Sequence, residues 1–144
     1  MAGVSSNLDL QPIADAIKAA IQAELPARVT VYDTDDIPGT AGGSDPSGAA
    51  PAKHVEIHLN RADAFPSRRG SGVVSVPDLE LATRCHAGSI ADVRELRRRV
   101  GRALEDRAYG LLDGGTVGPF VFAIGEPEED DDTGWVGVDH WTFA

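Results

Sequence analysis

Residues 53–60 (KHVEIHLN) alternate polar and β-branched or apolar side chains, so His54, Glu56 and His58 share one face of a strand. Two imidazoles and a carboxylate on one face can make a facial metal triad. The same spacing also marks any half-exposed strand, solvated or facing another subunit. That reading is preferred, because no partner able to orient the imidazoles can be identified in the sequence. His86 or His140 would complete a site only if the fold brought them near. No metal or cofactor is therefore expected. Cys85 and His86 are adjacent on a strand and point to opposite faces, which argues against a Cys–His nucleophile pair and leaves Cys85 as a small apolar residue. The glycine-containing stretches TAGGSDPSG and SRRGSGVV lack the Lys-Ser/Thr ending of a phosphate loop and the strand–helix setting of a dinucleotide fingerprint. Nothing here assigns a catalytic residue, and the chain is not expected to be an enzyme.

Charge is more informative. The net charge is −10, yet Arg94, Arg97, Arg98, Arg99, Arg102 and Arg107, six of thirteen basic residues, fall in one segment. At about 100° per residue, Arg94, Arg98 and Arg102 form one helical stripe. Glu95 can pair with Arg98 and Arg99, and Glu105 with Arg102, while Arg97 lies at the margin of the apolar face. The run Glu128, Glu129, Asp130, Asp131 and Asp132 lacks the spacing of a calcium loop and reads either as a solvated turn or as a contact to a basic surface. The Arg94–Arg98–Arg102 stripe and this acidic run are the candidate subunit interfaces, since planar guanidinium suits carboxylates. A pI of 4.6 argues against binding a phosphate backbone, and no sequence-specific nucleic-acid binding is expected.

The elements that would position these residues follow from periodicity. With 144 residues and 42% hydrophobic content the chain reads as a single domain over residues 1–144. The lone cysteine fits a reducing cytoplasm, the N-terminus carries no secretory pattern, and no apolar run would span a membrane. Ile13, Ile17, Ala20, Ile21 and Leu25 predict a helix over residues 8–25, with Asp9 able to cap it. Strands are predicted at 28–32, 53–60 and 78–86, separated by flexible polar loops at 33–52 and 61–72. Ser89 caps a long helix running to about residue 112, with Val93, Leu96, Val100, Leu104 and Leu111 as its buried stripe. Two further strands, at 118–125 and 135–143, flank the acidic turn. The order α-β-β-β-α-β-β gives an α+β fold, a mainly antiparallel mixed sheet covered by two helices.

The helix IADAIKAAIQAEL, the strands VTVYD and HVEIHLN, the block LATRCHAGSIADVRELRRRVGRALE and the ending GEPEEDDDTGWVGVDHWTF together resemble the tail terminator proteins of long-tailed bacteriophages, also called tail completion or minor tail proteins. The likeness spans nearly the whole chain and rests on element order, not on a catalytic motif. It implies a structural virion protein. Such proteins form a ring, commonly of six subunits, at the head-proximal end of the tail tube, where the ring stops tube polymerisation and offers a head-joining surface. The implied partners are further copies of the chain, the tail tube protein and a head-completion or connector protein. Another head–tail connector component is the nearest alternative.

Overall fold

The computed structural model describes residues 10–38, 51–62, 78–110, 116–117, 119–130 and 134–143. Helix α1, Gln11–Glu24, opens with proline in its first turn, where a missing N–H breaks no helical hydrogen bond. Ile13, Ala14, Ile17 and Ile21 recur at helical spacing and are buried. Its N-cap is Leu10, without a side-chain cap; Asp9 lies outside the described residues. Strands β1 (Thr30–Asp33), β2 (His54–Ala62) and β3 (Asp78–Ala87) precede helix α2 (Ile90–Leu104). A short pair, β4 (Tyr109–Gly110) and β5 (Thr116–Val117), leads into β6 (Phe120–Gly125), β7 (Glu129–Asp130) and β8 (Trp135–Phe143).

The class is α+β, as the sequence implies. The main sheet runs β1-β2-β3-β8-β6, with β7 pairing on β8, while β4 and β5 form a separate small sheet. Its pairs are antiparallel except β1 with β2, which run parallel. The last strand therefore lies between β3 and β6, not merely beside β6. Of the two expected loops, residues 39–50 and 63–77 lie outside the described residues, whereas Asp33 belongs to β1 and Arg61 and Ala62 to β2.

Helix α2 starts where expected: the Ser89 hydroxyl accepts from the Asp92 backbone N–H at 3.2 Å. It ends earlier than its periodicity suggests. After Leu104 the backbone becomes extended at Glu105, and Asp106 takes a left-handed φ of 58°, which a short polar side chain tolerates. The Asp106 N–H then donates to the Phe120 carbonyl at 3.0 Å, and the Phe120 N–H to the Arg107 carbonyl at 3.3 Å. Tethering to β6 thus overrides a sequence able to continue as helix. Arg107 leaves the helix as a result, and Leu111 lies outside the described residues.

Both helices pack on one face of the sheet. Ile13, Ile17 and Ile21 of α1 and Val93, Leu96, Val100 and Leu104 of α2 meet Val31, Val55, Ile57, Leu81, Cys85 and Trp141 in one core. The Trp141 indole N–H donates to the buried Thr83 hydroxyl at 3.1 Å, so neither polar group is stranded. Among the described residues no helix covers the opposite face, and the candidate chemistry lies there.

Candidate functional site

On β2, Val55 and Ile57 face the core, which turns His54, Glu56 and His58 outward. The antiparallel register then sets His86 opposite His54, and Arg84 opposite Glu56. The sequence triad thereby becomes a larger cluster centred on Glu56. One carboxylate oxygen, Oε2, lies 2.9 Å from His54 Nε2 and 3.0 Å from His86 Nε2. The other, Oε1, lies 3.2 Å from His58 Nε2 and 3.9 Å from Arg84 Nε. The His54 and His86 rings stack with centroids 4.3 Å apart and planes 7° from parallel, and Tyr32 of β1 packs edge-on against His54. Glu56 is only 12% exposed. Burial pushes its carboxyl up, but the surrounding His54, His58 and His86 outweigh burial and hold it far below the usual carboxylate range.

The two β2 imidazoles are oriented from behind. His54 Nδ1 is 2.6 Å from the Pro51 carbonyl, an acceptor only, so Nδ1 carries the proton. His58 Nδ1 is 3.0 Å from the Thr34 hydroxyl, which donates its proton to the Ile57 carbonyl at 3.1 Å and so accepts from the ring. Both rings therefore aim Nε2 at Glu56. These orienting partners, Pro51 and Thr34, sit in the polar segment between β1 and β2, where no periodic pattern marks them.

His140 does not join this cluster. It sits on β8 and pairs with Glu126 at 2.8 Å. It lines, with His58, Ala82, Arg84 and Val138, a shallow 380 Å³ concavity on the open face. Cys85 is fully buried on the helix-covered face, where burial and the nearby Asp139 push its thiol far up. The Cys85–His86 separation expected from alternation therefore holds.

Four of the five arginines of α2 have partners inside the chain. Arg98 and Arg99 both reach Glu95, at 2.8 and 2.9 Å, as expected. Arg94 contacts Glu128 at 3.1 Å, so two residues assigned from sequence to contacts between subunits meet within one subunit. Of the stripe, Arg102 is exposed and makes no ion pair among the described residues. Glu129 and Asp130 form the short β7 strand, and Asp131 and Asp132 lie outside the described residues. Arg97 goes further than the core margin: it grips the 5% exposed Asp139 through Nε at 3.0 Å and Nη2 at 2.6 Å.

A second feature escaped the sequence reading. Strand β6 ends the sheet, and Val121, Phe122 and Ile124 on it are 40, 45 and 59% exposed. A register shift between Phe122 and Ile124 accompanies this exposure. The apolar run FVFAIG reads as a strand, and only its pairing partners show that it lies at the edge. Comparison with known proteins returns no matching family model and no similar curated protein.

Proposed function

We propose that this protein is a non-enzymatic assembly subunit, a tail terminator that forms a ring at the head-proximal end of a phage tail tube. The observation that carries self-assembly is strand β6, an apolar edge whose residues 121–125 pair only with β8 among the described residues. Exposed apolar edge strands are templates for another chain. The opposite edge of the same sheet is the short strand β1. Joining two different surfaces is a heterologous contact, and such contacts close into rings when the rotation permits. Arg102 adds a cation for a neighbour within a chain of net charge −10. The tail-end role rests on the element order that the chain shares in outline with tail terminators.

Electron microscopy of the protein mixed with purified tail tubes tests the role. Rings capping one end of each tube, with no further tube growth, are the expected outcome. Rings that bind only the portal side of a head would favour a head-completion protein, and particles that bind neither would remove the tail-end assignment.

A further inference from the structure

We infer that Nε2 of His54, Nε2 of His86 and the Glu56 carboxylate bind a zinc-class divalent transition-metal ion, with His58 holding the other oxygen of the carboxylate. The Pro51 carbonyl fixes the proton of a neutral His54 on Nδ1, leaving a lone pair on Nε2 that faces Glu56 Oε2 at 2.9 Å. The Thr34 hydroxyl does the same for His58, whose Nε2 faces Oε1 at 3.2 Å. Acceptors this close need positive charge between them, from a proton on each ring or from one shared cation. A single divalent ion would answer His54 Nε2, His86 Nε2 and the Glu56 carboxylate together. The donor atoms of His54, Glu56 and His86 already lie within 4.8 Å of one another, and small ring rotations would bring them to the roughly 3.3 Å separation of ligands about 2.0–2.1 Å from a tetrahedral zinc ion. Imidazole and carboxylate donors select zinc, nickel or copper over magnesium or calcium, and the Pro51 carbonyl behind His54 is the usual kind of orienting partner for a ligating ring. The ion would sit on the open sheet face, next to the concavity lined by His58 and Arg84.

The test is titration of tag-free, chelator-treated full-length protein with Zn²⁺ against a chromophoric chelator, with Co²⁺ absorption as a second readout. One ion per chain is expected, Mg²⁺ should not displace it, and Co²⁺ should give the visible bands of a low-coordinate site. His54→Ala or His86→Ala should weaken binding at least about ten-fold, and Thr34→Val, which touches only the support of His58, by less. His140→Ala should leave affinity unchanged. Wild-type protein that takes up less than about 0.2 equivalents of Zn²⁺ would overturn the site. So would unaltered affinity in folded His54→Ala/His86→Ala protein.

Discussion

Arg97 of α2 and Asp139 of β8 form a two-pronged ion pair beneath the helix, 2.6 and 3.0 Å between donor and acceptor atoms. The same guanidinium donates to the Val138 carbonyl at 3.2 Å and approaches Glu128 at 3.4 Å. The pair fastens the second helix to the strand at the centre of β3, β6 and β7. Such a pair is worth less than its Coulomb attraction, because both charges have left water. Its removal on one side is the costly event.

Asp139→Ala should therefore lower unfolding free energy by about 3 kcal/mol, since Arg97 would stay largely enclosed with Glu128 and the Val138 carbonyl as its remaining partners. Replacing both partners, Arg97→Met with Asp139→Leu, should recover most of that loss. Urea unfolding of the single and double variants measures both; equal losses in the two would reassign the effect to packing.

Two glycines near this pair should respond with opposite signs. A Cβ at Gly137 would lie 2.7 Å from Arg97 Cδ and 2.9 Å from Val93 Cγ1, so Gly137→Ala should cost roughly 1–3 kcal/mol. At Gly101, inside α2, the nearest atom is Trp141 Cη2 at an ordinary 3.8 Å. Gly101→Ala should stabilise by about 0.5–1 kcal/mol through helix propensity alone. Thermal unfolding of the two variants reads the signs directly.

Acid should loosen the α2–β7 surface first. Hydrogen bonds from Arg98 and Arg99 hold the Glu95 carboxyl below its ordinary value; the backbone N–H of Glu128 itself, and then Arg94, do the same for Glu128. A depressed folded value means stability that is fully present above the unfolded carboxylate value, near about 4.3, and is lost as pH falls from there through the lowered folded value. Glu95 is exposed, as is Arg94, the partner of Glu128, so solvent screening should keep the effect modest. Melting temperatures of wild type and of Glu95→Gln/Glu128→Gln between neutral pH and acid should converge as pH falls; a constant gap would count against the reading.

Much of this fold is legible because its signals are local. The Ile13–Ile17–Ile21 stripe, the Val55–Ile57 alternation and the Ser89 cap each need only a few neighbouring residues to act. The end of α2 was not legible, since Asp106 and Arg107 are captured by Phe120, a partner thirteen or more residues away. The site divides in the same way. His54, Glu56 and His58 follow from a period of two, whereas His86 enters through strand register and Pro51 and Thr34 through loop placement. Arg94 and Glu128 read as partners for other subunits because sequence carries sign but not proximity. The exposure of strand β6 was not legible either, because composition shows only an apolar run and edge position is a property of the whole sheet.

Self-association through β6 is the central claim, and sedimentation of the purified chain over a wide concentration range tests it most directly. Wild type should form a discrete closed oligomer whose population rises with concentration. Val121→Lys/Ile124→Lys, which charges the exposed edge and leaves the Phe122 ring in place against the buried Trp141, should shift the protein to a 15.1 kDa monomer with an unchanged fold by circular dichroism. A wild-type protein that sediments as that monomer at every concentration would contradict the account, as would an oligomer indifferent to both lysines.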